Sequence, residues 1–593
     1  MEWKNELLFV LLFAAVLFLS NLWGYDLWAP DEPKFAEISR EMLETGNWIV
    51  PHDNGWIYTD KPPLLFWLIS TFSLLTGRIS SFQARLPSAL AGIGAVAATY
   101  IFALKCFGRK TALLSSLILS TSFLFFDKAR TAQTDMLLTF FILISFLFFY
   151  LSRGEPIHRR RYLIFFYLSL ALGTLAKGPL GFIIPIGVIL IFLASVGEMK
   201  RVREIFLTDG LSLFLLIVGG WVVAATIAGK GEYSVFAALD RHLIERFSEG
   251  IHHRQPLYYF LKTFPLDFLP WSLFLPAALA LLFSKLRSVE RKEAAFLLCW
   301  VFFVFVLFSF SREKRNLYIL PLFPAASIMV GYLFSVILSE GEESIPSRLA
   351  SAFNYFLSGL LIICGSFIPV AAWIKAREYL FPASLLGAVI IVSSFIIFWF
   401  TWKEGWLKGL NFSYFPLFFG TGLLLPMISL RFYPDFFFPV LLMGVLLIIG
   451  SLFITLELRK GFGFRTLIAI LLTISSFYLA AVFFAYPVLD DYKSAKSFSI
   501  RIASTVRDHL KQGERLPIYK RYRSAYVFYS RIYLDLILSE EAFKNVMSSS
   551  ERKFCLIEQN DLNEISEKLE LPLYRIHSEG VGHRSMILVS NQP

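Results

Sequence analysis

From Leu7 to about residue 487 the chain alternates apolar runs of about 17–25 residues with short charged clusters. A helix of that length crosses a hydrocarbon core of roughly 30 Å. The pattern predicts spans near 7–23, 84–104, 112–127, 136–152, 162–176, 179–196, 208–228, 263–284, 294–310, 317–338, 350–373, 381–401, 409–429, 436–456 and 466–487. Pro426 and Pro434 interrupt the 409–456 pair, so the expectation is about 13–15 transmembrane helices. From residue 488 the pattern changes. "SAKSFSIRIASTVRDHLKQG" has helical periodicity and stops at Gly513. The runs "LPIYKRY", "KFCLIEQ", "LPLYRIH" and "SMILVSN" read as strands, with "SEEAFKNVM" and "NDLNEISEKL" as helices between them. The predicted architecture is a polytopic α-helical membrane body, residues 1–487, followed by a small α/β domain, residues 488–593.

Composition strengthens this reading. Hydrophobic residues make up 56 % of the chain, 63 of the 593 residues are Phe, and the mean hydropathy is +0.61. The net charge of +11 points to basic loops under the positive-inside rule rather than to nucleic acid. Basic clusters at Lys105–Lys110, Arg153 with Arg159–Arg161, Lys200–Arg203, Lys285–Lys292 and Arg459–Arg465 then face the cytoplasm. With an odd number of spans the N-terminus is cytoplasmic and the C-terminal domain extracytoplasmic. Asp31, Asp135, Lys177 and His252–His253 all fall on the outer side. The first apolar run lacks a small-residue cleavage pattern and reads as a retained span. Cys106, Cys299, Cys364 and Cys555 form neither a disulfide framework nor a metal-binding spacing.

Candidate chemistry gathers on that outer face. The loop 24–82 is long for a connector, and long loops are often functional. It contains "APDEPKFAEISREM", in which Pro33 suits a first helical turn, with Asp31 or Glu32 as its cap. Gly46 ends the predicted helix, Glu37 and Glu41 lie one turn apart, and Arg40 can pair with Glu44. A capped amphipathic helix on the membrane surface accounts for one acid before Pro33, but not for two. In "WIYTDKPPLLFW" the ammonium of Lys61 suits a lipid phosphate or simply snorkels to the interface. Asp135 begins a span and either serves function or pairs with Arg130. His252 and His253 read as surface residues or as two metal ligands completed by an acid such as Asp60 or Glu32. Arg312, Lys314 and Arg315 on the outer side break the positive-inside bias, which favours an anionic ligand. No Walker-type loop is present to power a pump.

The ordered motifs "DEPKFAEISREMLETGNWIVPH", "YTDKPPLLFW", "RLPSALAG", "RTAQTDMLL", "LAKGPLGFIIP", "HHRQPLYYF" and "SREKRNLYILPLFPA" resemble those of membrane-embedded GT-C glycosyltransferases of the protein O-mannosyltransferase-like group. They are most similar to the bacterial lipid A 4-amino-4-deoxy-L-arabinose transferases. The resemblance implies a GT-C fold in the bacterial inner membrane with a periplasmic C-terminal domain. It implies a polyprenyl-phosphate-linked sugar as donor and a glycolipid, lipid A or a relative, as acceptor. Asp31 becomes the main catalytic candidate, supported by Asp135 and the adjacent Glu32. Lys61, Tyr58 and Tyr318 are implied to contact the donor phosphate, joined by Lys34 and Arg254. Lys34 stands where the family often has Arg, which keeps the charge but loses the bidentate fork. The family can hold a divalent metal, Zn or Mg/Mn, near His252 and His253 through the acid before Lys-Pro. Here that acid is Asp60 in place of the expected Glu.

Two other functions remain open at this level. A protein Ser/Thr acceptor fits the same group. A lipid or solute transporter fits the span count, but the chain shows no repeated halves, and its charges gather on one outer face.

Overall fold

The computed structural model describes residues 2–230, 255–288, 290–341, 345–375, 377–569, 571–582 and 584–593. Among the described residues, ten helices are long and apolar enough to cross a membrane, or up to twelve if each of two bent pairs is one span. This corrects the expectation of about 13–15, and the reasons are local. Glu2–Leu19 carries three charges near its start, and Arg159–Lys177 opens on three arginines. Leu180–Ser195 has 16 residues, about 24 Å of helix, short of the apolar core. The expected spans 112–127 and 263–284 are sharply bent. Arg109–Thr121 meets Phe123–Ala129 at 70°, and Tyr259–Asp267 meets Trp271–Lys285 at 114°. Elsewhere the helices pack through small residues: Gly422 and Gly444 sit where two backbones touch, and a methyl group on either would overlap the other's carbonyl.

The loop after the first helix is built, not irregular. Helix Asp31–Thr45 ends at Gly46, whose φ of 71° suits a residue without Cβ. Its N-cap is Pro30, with no side-chain cap bond, so Asp31 and Glu32 lie inside the first turn, where the helix dipole favours acids. The expectation of an acidic cap is corrected. So is the surface position: Glu32, Glu37, Arg40 and Glu41 are all buried. The helix is covered by helix Leu64–Ser73 and by helix Ser524–Ser530 of the C-terminal domain. Between them, strands β1 (His52–Asp53) and β2 (Trp56–Ile57) form a hairpin turned by Asn54-Gly55, both at positive φ, as a two-residue hairpin turn requires.

The C-terminal domain holds a five-stranded sheet of β3 (Leu516–Tyr519), β4 (Leu534–Ile537), β5 (Phe554–Glu558), β6 (Tyr574–Val581) and β7 (Arg584–Ser590) in the order β4-β3-β5-β7-β6. The first three strands are parallel and the last two antiparallel. Alternate residues serve opposite faces. Leu556 and Leu588 pack with Phe498 and Val527, while Ile557 and Ile587 pack with Phe543 and Leu562. Burial on both faces explains why "FCLI" and "MILV" are continuous apolar runs. The sequence pattern did not reveal β4 or helix Ser524–Ser530, because "LDLI" is too short and mixed to stand out.

Asn54 joins this sheet to the loop. Its Nδ2 donates to the Leu534 carbonyl and its Oδ1 accepts from the Leu534 N–H, both at 2.8 Å. One side chain therefore pairs both backbone groups of Leu534 at the start of the edge strand β4.

Candidate active site

Two adjacent acids at the start of the loop helix do different work. Glu32 is buried and saturated: it accepts from Arg85 Nε at 2.8 Å and Nη2 at 2.9 Å. It also accepts from the backbone N–H of Trp28 and Ala132, each at 3.0 Å. Arg85 in turn spends its remaining N–H groups on the carbonyls of Leu22, Tyr25 and Asp26, and stacks 3.7 Å from the Tyr25 ring. This pair ties the end of the first helix, the loop helix and the loop before Thr134–Gly154 into one unit.

Asp31 is left facing the site. Its Oδ2 accepts from Gln133 Nε2 at 3.0 Å and from Arg315 Nη2 at 2.9 Å. Burial alone would raise its pKa, but Arg315, Gln133 and Lys34 outweigh it and hold the carboxyl below its ordinary value. Asp31 therefore stays ionised at neutral pH.

A second pair lies beside the first. Asp135, in the first turn of Thr134–Gly154, pairs with Lys177 at the end of Arg159–Lys177, both well buried. Lys177 also lies 4.5 Å from the Tyr318 ring. Arg130, the partner weighed from sequence, instead donates to the Leu17 and Ser20 carbonyls. Arg315 feels both Asp31 and Asp135, so the two pairs form one electrostatic group. Of the outer basic cluster, Arg315 reaches Asp31, whereas Lys314 is buried against the carbonyls of Gln255 and Ser311.

The donor-side candidates gather on the loop. Lys34 sits 5.9 Å from the Tyr58 ring, and Tyr58 packs edge-on against Phe66. Lys61 and Asp60 belong to the segment leading into Leu64–Ser73. Arg254, His252 and His253 lie outside the described residues. Among the described residues no three His, Cys, Asp or Glu side chains come together as a metal site. Three site residues escaped the sequence reading: Arg85, Gln133 and Lys177 as the partner of Asp135. Arg85 had a usable signal, since an ionisable residue at the start of a span needs a partner.

Residues 60–223 match the family described as dolichyl-phosphate-mannose-protein mannosyltransferase. The undecaprenyl phosphate-alpha-4-amino-4-deoxy-L-arabinose arabinosyl transferase of Erwinia tasmaniensis is 28% identical over 405 residues, 67% of this chain and 71% of that protein. The transferase of the same name from Edwardsiella ictaluri is 31% identical over 383 residues, 62% of this chain and 66% of that one. The chain thus spans about two thirds of the length of these relatives. The crystal structure of ArnT from Cupriavidus metallidurans bound to undecaprenyl phosphate superposes with a TM-score of 0.70 at 19% identity, covering 98% of this chain and 97% of that one.

A helical membrane body with paired carboxylates and cations at one end, capped by a small α/β domain, is the architecture of a membrane-embedded GT-C glycosyltransferase. Within that class the chain shares the fold of the solved ArnT and is similar to the ArnT-like transferases, with residues 60–223 matching the protein mannosyltransferase family.

Proposed function

We propose that the chain moves a sugar from a polyprenyl-phosphate carrier to an acceptor at the outer face of the bacterial inner membrane, with lipid A the favoured acceptor. The observation that carries this reading is the Asp31–Arg315 pair, seated beside Asp135–Lys177 where the membrane helices meet the loop. The relatives' names and the undecaprenyl phosphate of the solved ArnT support the donor class. In this reading residues 1–487 are the catalytic body and 488–593 an outer domain, with the N-terminus cytoplasmic.

The chemistry follows from charge. The bond between the anomeric carbon and the phosphate oxygen breaks, and its electron pair leaves with the polyprenyl phosphate. Arg315, Lys177, Lys34 and Lys61 are the cations available to stabilise that growing charge, with Tyr58 and Tyr318 beside them. An acceptor oxygen attacks from the opposite face and inverts the anomeric carbon. A carboxyl held below its ordinary pKa is a weak base, which favours an acceptor that is already anionic, such as a lipid A phosphate. Asp31 then orients Arg315 and the acceptor. If the acceptor is a hydroxyl, Asp31 takes its proton. Protein Ser/Thr is the second reading, favoured by the description of the matched family.

The test is reconstitution in nanodiscs with a panel of polyprenyl-phosphate sugars and acceptors, read by mass spectrometry. Growth of one acceptor by one sugar mass, lost in Asp31→Asn, is the expected result. Near-normal transfer by a correctly inserted Asp31→Asn protein sinks the assignment.

A further inference from the structure

The C-terminal domain carries a cluster of charged side chains that the transfer chemistry does not use. Its chain runs from β3 to β4 on one side and then crosses to β5 on the other, so the strand order reverses between β3 and β5. The segments leaving these two strands serve opposite faces. Ala525 and Tyr526 of helix Ser524–Ser530 pack in one core, and Leu562 and Ile565 of helix Gln559–Lys568 in the other. In open α/β sheets, the crevice outside the carboxyl ends of the strands at such a reversal is where ligands bind.

The side chains at this edge are unusual. Lys520, Arg521 and Arg523 follow β3, and Arg584 begins β7 beside the end of β5. Arg521 lies 3.0 Å from Glu558 and 3.6 Å from Asp561, and Arg584 lies 3.7 Å from Glu558. Lys520 lies 3.5 Å from Asp561 and 3.8 Å from Glu564. Three cations thus share three carboxylates. Arg523 is the surplus: it is half-buried and makes no ion pair among the described residues. Burial, with the charges of Arg584 and Arg521, pushes its guanidinium below the ordinary value despite Tyr526 and Glu558 nearby. The Tyr526 hydroxyl, in a residue only 1 % exposed, has no hydrogen-bond partner among the described residues. A lone guanidinium beside an unsatisfied hydroxyl donor is chemistry suited to an anion with several oxygens.

The position gives such an anion a purpose. Tyr522 and Ser524 each donate to Asp53 of the hairpin at 2.9 Å, and Asp53 feels Lys34, three residues after Asp31. The edge of the sheet therefore adjoins the loop that carries the candidate active site.

We propose that Arg523 and Tyr526, flanked by Arg521 and Arg584, bind a phosphate monoester at the carboxyl edge of the C-terminal sheet. The source this favours is a phosphate of the glycolipid acceptor, a choice that rests on the transferase reading. The binding site itself does not.

The test uses the full chain in nanodiscs of uncharged lipid. The probes are a phosphorylated glucosamine-disaccharide lipid, the same lipid dephosphorylated, and radiolabelled inorganic phosphate. The phosphorylated lipid is expected to bind at least about tenfold more tightly than its dephosphorylated form. Arg523→Gln should erase that difference, and Tyr526→Phe, which keeps the packing, should reduce it. Arg501→Gln removes an equal charge beside Glu579 elsewhere in the domain and should leave it intact. Arg523-dependent binding of inorganic phosphate without discrimination between the lipids keeps the site and assigns it to free phosphate. Equal binding of all probes, or the same loss in Arg501→Gln, overturns the proposal. If the wild-type chain transfers no sugar yet keeps Arg523-dependent binding, the transferase reading falls and the site stands.

Discussion

Glu32 and Arg85 form a two-bond ion pair, at 2.8 and 2.9 Å, with neither residue more than 2 % exposed. Its neighbour in sequence, Asp31, meets the site through Arg315. In the proposed reading the acidic pair is one residue that holds the site together and one that works in it. Removing the first should act on folding, because Arg85 would be left charged and unpaired. Glu32→Ala is expected to cost about 3–5 kcal/mol, the usual penalty for breaking a buried pair from one side. Asp31→Asn should cost less stability, because the Arg315 side chain left behind is a third exposed to water, while abolishing transfer. Thermal unfolding and activity measured on both variants check the division. Equal loss of stability in the two would overturn it.

Arg315 sets the charge of Asp31, and this has a pH signature. Arg315 opposes the effect of burial and holds the Asp31 carboxyl low. In Arg315→Gln that opposition weakens, so the carboxyl keeps its proton to higher pH. The acid limb of the kcat/KM profile should therefore move to higher pH, alongside a fall in rate. A lower rate with an unmoved limb would show that the ionisation of Asp31 does not control the acid limb.

Asn54 should govern how firmly the outer domain is held. Its amide bonds both backbone groups of Leu534, and Asn54→Ala leaves the buried N–H unpaired and the carbonyl with only the longer bond from Arg515 Nη1 at 3.4 Å. Each unsatisfied group costs about 1–3 kcal/mol. Hydrogen exchange should accelerate in β4 and in the hairpin, with the sheet centre at β5 and β7 unaffected. Uniform protection across the domain would show that Arg515, Asp53 and the Glu44–Arg531 pair suffice to hold it.

The membrane body was legible in the sequence because a span is a local property: twenty apolar residues announce themselves. Its count was less so, because Glu2–Leu19, Arg159–Lys177 and Leu180–Ser195 are apolar runs shortened by charge or length. Individual residues such as Asp31 and Asp135 could be picked out as charges at the mouths of spans. Their partners could not, since Arg315 lies 284 positions from Asp31 and only the fold brings them together. The burial of helix Asp31–Thr45 was hidden for the same reason. Its polar face looks like a solvent face until a domain some 480 residues away covers it, as the Arg531–Glu44 contact shows. The Asn54-Gly55 turn was readable as a hairpin signal, but its role at the edge of β4 was not.

That covered face and the hairpin beside it hold acids whose protons are held more tightly than usual. Burial and the neighbouring Glu37 carboxylate raise Glu41 to about 8, although it accepts from the Gly55 N–H. Burial raises Asp53 to about 6, against the bonds it accepts from Ser524 and Tyr522. Both groups bind a proton more tightly folded than unfolded, where they titrate near the ordinary carboxylate values. The folded state then holds more protons between those values and about 8, so stability must fall as pH rises through that window. The stabilisation is complete below the unfolded pKa and gone above the folded one. Glu41→Gln removes the titration while leaving an oxygen for Gly55, and should flatten the slope between about pH 6 and 8. Unfolding temperature measured from pH 5 to 8.5 on both proteins decides it. Equal slopes in the two would mean that Glu41 takes up no proton on folding and that some other group sets the pH dependence.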